Sequence, residues 1–188
     1  MIYSSIFKLI LKDLSETYLY MPMAVILGLM VILLLVIVKK CCYYFKRRTF
    51  MSVYQVTAAG TFVFYIYIVL MLSYFSRAVG SRNEVSLIFL ETWKNSAQSR
   101  AYVFENIMMM IPFGFLLPVF FKPARNFFCC IPLGFMFSVC LEYSQYLSKR
   151  GYLQTDDVVM NVLGTLIGFF TFAFLKITVS TLNNNKFY

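Results

Sequence analysis

Three carboxylates and two amides interrupt an otherwise apolar sequence at the boundary between two long hydrophobic runs. The acids are Glu142, Asp156 and Asp157, and the amides are Gln145 and Asn161. Carboxylates placed in a protected site can act as general acids or bases, and amides can stabilise developing charge. The chain contains no histidine, so a carboxylate would have to carry any proton transfer at this site.

The composition defines the class of protein that must position these side chains. Of 188 residues, 61% are hydrophobic and 13% are charged, which is far from the usual composition of a soluble domain. The net charge of +9 could suggest nucleic-acid binding, but the basic residues flank hydrophobic runs and are not interleaved with aromatics on a soluble module. The sequence therefore predicts an integral membrane protein with no nucleic-acid partner.

Five apolar runs are long enough to cross a bilayer. They cover residues 19–38, 57–75, 103–121, 127–147 and 157–179. Ahead of them, Ile6, Ile10 and Leu14 recur at helical spacing, which predicts a short N-terminal interfacial helix. The predicted fold is an all-α membrane bundle of about five transmembrane helices preceded by that helix. We divide it into residues 1–74 (the interfacial helix and two spans), 75–170 (an outer loop and spans three to five) and 171–188 (the end of span five and the tail).

A dense basic cluster predicts the orientation. It lies on the short loop after span one and contains Lys39, Lys40, Lys46, Arg47 and Arg48. The positive-inside rule places this loop in the cytoplasm, so the N-terminus is predicted outside and the C-terminus inside. All eight acidic residues then fall on the outer side. The total of Lys and Arg is nearly balanced between the two sides, so the orientation depends on the cluster.

The polar residues of span four share one helical face. Ser138, Glu142 and Gln145 follow i, i+4, i+7 spacing. Glu142 lies about five residues inside the end of the span, which is roughly 8 Å at 1.5 Å per residue. A charge at that depth costs a few kcal/mol, so Glu142 should face the interior of the bundle and find partners there.

Span five carries a matching face. Asp157 and Asn161 lie above Gly164 and Gly168 at helical spacing, and the two glycines allow a neighbouring helix to approach closely. The turn between spans four and five is short, so the spans should be antiparallel neighbours whose polar faces meet. Further polar residues predicted on the same side are Arg77, Arg82, Asn106, Lys149 and Arg150. The structural alternative is that Arg150 braces Asp156 or Asp157 at the turn, where capping also favours an aspartate.

Four stretches of this region resemble motifs of the VanZ family of small bacterial membrane proteins, in the family's order. They are SYFSRAVGSRNEVSLIFLETW, ENIMMMIPFGFLLPVF, SVCLEYSQY and RGYLQTDDVVMNVLGTLIGF. The matching residues are Arg77, Gly80, Arg82, Asn106, Pro112, Gly114, Pro118, Glu142, Gln145, Arg150, Asp156, Asp157, Asn161, Gly164 and Gly168. The chain departs from the family pattern at Gln154, where an acid is usual, at Ser86, where an asparagine is usual, and at Ile88–Phe89, where the usual proline is missing. The resemblance covers roughly residues 75–170.

The resemblance implies a protein of the bacterial plasma membrane linked to resistance against glycopeptide antibiotics, teicoplanin and lipoglycopeptides in particular. The residues allow two main hypotheses. In the first, a cell-envelope protein has an outward-facing polar pocket that engages a membrane lipid, a lipid-linked envelope component or a lipoglycopeptide antibiotic. The pocket residues would be Arg77, Arg82, Asn106, Gln145, Arg150, Asp156 and Asn161.

The second hypothesis is an intramembrane enzyme that acts on envelope lipids. Glu142 would be the general acid or base, and Asp157 is the other candidate catalytic residue. The aspartates could alternatively hold a divalent cation such as Mg²⁺, although we assign no residue to a metal and predict no cofactor. A transporter is disfavoured because the five spans contain no inverted repeat.

Overall fold

The computed structural model describes residues 2–44, 52–75, 80, 85–86, 96–151 and 153–184, and in these residues the chain is almost entirely helical. Its helices are α1 (Ile2–Ser15), α2 (Met21–Tyr44), α3 (Val53–Leu70, continued by a π-helical turn at Met71–Phe75), α4 (Ala97–Phe120), α5 (Phe127–Leu147) and α6 (Thr155–Asn184). A 3-10 turn, Lys122–Arg125, connects α4 to α5. Two-residue strands, β1 (Val85–Ser86) and β2 (Leu153–Gln154), pair in parallel.

Five of these helices are long and apolar enough to cross a membrane. They are α2, α3 through Phe75, α4, α5 and the Thr155–Thr181 part of α6. The predicted class is confirmed: the chain is an all-α, multi-pass membrane protein with an additional N-terminal helix. Helix α1 packs against α4, and its Ile6 is buried.

Capping, and not only hydrophobicity, decides where a helix of this bundle begins. Helix α5 begins and ends at the predicted positions, but α3 begins earlier than predicted, at Val53. The cause is a capping box, in which the Ser52 hydroxyl accepts from the Gln55 backbone N–H and the Gln55 side chain accepts from the Ser52 N–H. Gln55 also donates to the carbonyl of Phe120 over 3.2 Å, so it joins the start of α3 to the end of α4.

Helices α4 and α6 form the centre of the bundle and approach to backbone contact. A Cβ atom added to Gly164 or Gly168 would collide with the carbonyl oxygens of Ile107 and Ile111 on α4. The two contacts are four residues apart on both helices, and the residue numbers increase in the same direction on each. Helices α4 and α6 are therefore parallel. The predicted packing role of both glycines is therefore observed.

Helix α4 continues through two prolines, Pro112 and Pro118. Pro118 has no N–H, so it cannot donate to the carbonyl of Gly114 one turn earlier. The thiol of Cys130, which is fully buried, lies 4.0 Å from that carbonyl and can donate weakly to it. The described cysteines are free thiols. Cys130 thus serves packing and hydrogen bonding within the helix bundle.

The bundle has two ends. The acidic end contains the end of α3 at Phe75, the end of α5 and the start of α6. The opposite end, which we call the basic end, contains the end of α4, the turn Lys122–Arg125 and the end of α6. The sequence has no acidic residue between Glu105 and Glu142 or after Asp157, so the parts of α4, α5 and α6 at the basic end carry no carboxylate side chain.

Candidate functional site

The predicted polar face of α5 is buried in the bundle. Ser138, Glu142 and Gln145 are 0%, 4% and 3% exposed. Ser138 contacts α6, because its hydroxyl accepts a 2.8 Å hydrogen bond from the side-chain amide of Asn161. One turn towards the basic end, Gly134 lies against the side chain of Thr165. The polar faces of spans four and five therefore meet, as the spacing predicted.

The register between α5 and α6 brings the two candidate catalytic carboxylates to the same level. Gly134 faces Thr165 and Ser138 faces Asn161, so each turn forward on α5 corresponds to one turn back on α6. The next turn matches Glu142 with Asp157. The Oε2 of Glu142 also accepts a long contact of 3.5 Å from the backbone N–H of Gln154.

Gln145 and Arg150 attach this site to the end of α3. The Gln145 side-chain amide donates to the carbonyl of Ser73 over 3.0 Å. Arg150 Nη1 donates to the carbonyls of Tyr74 and Phe75 over 3.3 and 3.4 Å, and its guanidinium lies 5.0 Å from the centre of the Tyr74 ring. The last carbonyls of a helix lack partners within it, so these two side chains cap α3.

The Met71–Phe75 turn is a feature that the sequence analysis missed. It is π-helical, a form that often interrupts helices at functional sites. Gln145 and Arg150 contact this turn through its main-chain carbonyls. Every residue has such a carbonyl, so the residue types do not reveal the contact. The sequence predicted Arg150 as a partner of the acids, and the structure adds a role in holding α3.

Asp156 and Asn161 are the most deeply buried of the predicted site residues on α6, at 2% and 1% exposure. Within the described part of the chain, the side-chain oxygen Oδ1 of Asn161 accepts no hydrogen bond, although its side-chain nitrogen binds Ser138. A buried amide oxygen without a donor is unfavourable by about 1–3 kcal/mol. The site therefore contains an acceptor that a ligand or a water molecule could satisfy.

Three predicted site residues are not brought into this cluster by a described contact. Asn106 on α4 is half-buried, and no side-chain hydrogen bond links it to the cluster within the residues that the structure describes. The parallel register of α4 and α6 still puts Asn106 within about one turn of the level of Asn161. Arg77 and Arg82 lie outside the described residues.

The connection between α3 and α4 reaches the same place through the strand pair. Val85 is the register partner of Leu153, and Ser86 is that of Gln154. Gln154 is also the residue whose backbone contacts Glu142. Strand β1 thereby lies beside the acidic end, next to the segment whose backbone contacts Glu142.

The arrangement can bind hydrogen-bond donors or positive charge through its carboxylates, and anions through Arg150. In the described residues, no group of three or more Cys, Asp or Glu side chains is arranged to hold a metal ion.

The fold and the site define a multi-pass α-helical membrane protein with acids and amides buried at one end of the bundle. The profile of the VanZ/LLP1 family matches residues 61–176. Because the match covers more than half of the chain, the chain belongs to the VanZ/LLP1 family. The matched segment begins within α3 and includes all of α5, so it contains the whole cluster described above. No curated protein and no solved structure matches the chain significantly.

Two of the positions at which the sequence departs from the motifs that it resembles, Ser86 and Gln154, are register partners in this strand pair.

Proposed function

We propose that this VanZ-like protein lies in the bacterial plasma membrane with its acidic end outside. There it engages the polar head of an amphiphilic envelope component and contributes to resistance against glycopeptide antibiotics, teicoplanin and lipoglycopeptides in particular. The amphiphile would be a membrane lipid, a lipid-linked envelope component or the antibiotic itself.

One observation carries the proposal. Four polar side chains, Glu142, Gln145, Asp156 and Asn161, are at least nine-tenths buried on two adjacent membrane helices at the same end of the bundle. Polar and ionisable groups at membrane depth are expensive, so a cluster of them usually marks a functional site. The buried Asn161 oxygen that accepts no hydrogen bond from the described residues supports the same reading.

The charges at the acidic end suit an amphiphile. Arg150, whose guanidinium is bonded to the end of α3, brings a positive charge to the acidic end. Arg77 and Arg82 would complete the rim in this proposal. The lipid-facing sides of α5 and α6 expose large apolar residues, including Leu147 and Leu163, that can contact the chain of such a molecule.

The test is antibiotic susceptibility in a glycopeptide-sensitive bacterium that expresses the chain. We expect the protein to raise the minimum inhibitory concentration of teicoplanin, and Glu142→Gln to remove that increase while the protein accumulates in the membrane as the unaltered chain does. Tyr143→Phe is the matched control, because Tyr143 neighbours Glu142 but is 54% exposed on the outside of α5. Full resistance with Glu142→Gln would return Glu142 to a structural role.

An intramembrane enzyme acting on envelope lipids is the second candidate, favoured by the shared level of Glu142 and Asp157. One of the two carboxylates would take a proton from the attacking group. Purified protein should then convert a polyprenyl-phosphate lipid to a new product detectable by mass spectrometry. Glu142→Gln should abolish the conversion, and the absence of turnover with or without Mg²⁺ would end this hypothesis.

A further inference from the structure

A second site lies at the basic end of the bundle, far from the acidic cluster. A cavity of about 350 Å³ lies between Arg125 and the last turns of α6. Its polar lining comes from Arg125, Lys176, Ser180 and Thr181, and its apolar lining includes Phe172 and Ile177. This volume is within the range of small-molecule sites, roughly 300–1,000 Å³.

The polar groups of the cavity are mainly hydrogen-bond donors. Lys176 offers an ammonium group and Arg125 offers the Nη atoms that remain after its Nε donates to the carbonyl of Pro118 over 3.1 Å. That bond also holds the guanidinium in place at the end of α4. The Thr181 hydroxyl donates to the carbonyl of Ile177 over 3.1 Å, which leaves its lone pairs free. A guanidinium held in place and an ammonium lining the same cavity suit an anion.

The neighbouring segments contain no carboxylate side chain. Neither the segment from Asn106 to Leu141 nor the segment after Asp157 contains an aspartate or glutamate. In the part of the chain that the structure describes, neither Arg125 nor Lys176 is paired with a carboxylate. Opposite charges that already neutralised each other would give the cavity little affinity for an anion.

The apolar side of the cavity indicates that the rest of the ligand is apolar. Ile177 is 67% exposed, and the neighbouring Phe174 and Leu175 are 69% and 46% exposed on the same helix. Lys176 lies about one turn before Thr181, where the span ends. The cations thus lie at headgroup depth, directly beside a surface that faces the acyl chains of the bilayer.

We propose that this cavity binds the phosphate of an anionic phospholipid in the leaflet at the basic end. Arg125 and Lys176 contact the phosphate, Ser180 donates a further hydrogen bond, and one acyl chain lies along Phe172 and Ile177. Basic pockets between membrane helices are a recurring form of lipid-headgroup site. The proposal is independent of the resistance function and of the acidic cluster.

The experiment measures lipid binding to the purified full chain in neutral detergent. Native mass spectrometry would count retained phosphatidylglycerol and phosphatidylcholine, and thermal unfolding would follow the stabilisation that each lipid provides. We expect one phosphatidylglycerol to be retained preferentially. Lys176→Gln should weaken its binding roughly fivefold, because one Lys near an anionic headgroup contributes about 1 kcal/mol. Lys176 is exposed, so its replacement should not prevent folding.

Lys122→Gln is the matched control. Lys122 is an exposed cation on the same 3-10 turn as Arg125, but it does not line the cavity. Equal weakening by Lys122→Gln and Lys176→Gln would overturn the proposal, since it would mean diffuse surface attraction. Equal retention of the two lipids would also overturn it. Stabilisation by inorganic phosphate as strong as that by phosphatidylglycerol would overturn the assignment to a lipid.

Discussion

The side-chain amide of Asn161 donates a 2.8 Å hydrogen bond to the hydroxyl of Ser138, and neither residue is more than 1% exposed. This bond joins α5 to α6 inside the bundle and sets the level at which the other polar residues of the two helices meet. From it follows the match of Glu142 with Asp157 one turn further along. The bond is thus a structural determinant of the site and not only a local contact.

We predict that Ser138 and Asn161 are energetically coupled. Ser138→Ala should destabilise the protein by about 1–2 kcal/mol, because the buried Asn161 amide loses its acceptor. In a double-mutant cycle with Asn161→Ala, the coupling energy should be about 0.6 kcal/mol and below about 2 kcal/mol, the range found for side-chain hydrogen bonds between membrane helices. Unfolding by sodium dodecyl sulfate in mixed micelles measures all four variants, and strict additivity would contradict a direct bond.

The hydrogen bond from Gln145 should reduce local opening of the backbone at the end of α3. Gln145→Leu preserves the approximate size of the side chain but removes the donor to the Ser73 carbonyl. The loss of about 1 kcal/mol should speed amide exchange in the Met71–Phe75 turn roughly fivefold, measured by hydrogen–deuterium exchange mass spectrometry. Tyr143→Phe, on the exposed side of the same helix, should leave that exchange unchanged. Unaltered exchange with Gln145→Leu would mean that Arg150 alone holds the turn.

Gly164 should tolerate no side chain. A Cβ atom at this position would collide with the carbonyl oxygen of Ile107, so Gly164→Ala must push α4 and α6 apart. We expect a destabilisation of about 1–3 kcal/mol, measured by thermal unfolding in detergent. Alanine is otherwise the better helix former by about 1 kcal/mol, so a stabilised variant would show that the helices are not in contact here.

Ile167→Ala is the control for that substitution. Ile167 is on the same helix but is 47% exposed on its outer side. Its truncation removes a lipid contact and leaves the interface with α4 intact, so we expect a change within about 0.5 kcal/mol.

The proposed orientation of the bundle, with its acidic end outside, predicts how Cys41 reacts. Cys41 is exposed near the end of α2, beside the basic cluster. In a variant in which Cys41 is the remaining cysteine, a membrane-impermeant maleimide should label whole cells weakly and lysed cells strongly. A single cysteine at Lys149→Cys, at the acidic end, should be labelled in intact cells. The opposite pattern would reverse the orientation and remove the outward-facing site.

Much of the fold followed from local patterns. The five apolar runs each became a helix, because about 20 apolar residues can satisfy their backbone only as a helix within a bilayer. The shared buried face of Ser138, Glu142 and Gln145 followed from helical periodicity alone. Helix ends were less predictable where a cap such as Ser52 decided them.

Other features could not have been predicted from these patterns. The capping of α3 by Gln145 and Arg150 uses main-chain carbonyls, which every residue possesses, so no residue type marks them in advance. The pairing of Ser86 with Gln154 joins segments that are distant in the sequence. For Asn106, the sequence predicted its place in α4, but it could not predict which side chains lie close to it.

The sequence by itself determined that this is a five-span membrane protein whose acids and amides gather at one end, since hydrophobicity and periodicity are properties of contiguous residues. Only the tertiary structure decided that Glu142 and Asp157 share a level, that Arg150 holds the end of α3, and that Arg125 and Lys176 line one cavity. These relations depend on how closely the helices approach and on their register. Backbone contacts such as that between Gly164 and Ile107 set both, and such contacts exist only once the helices have packed.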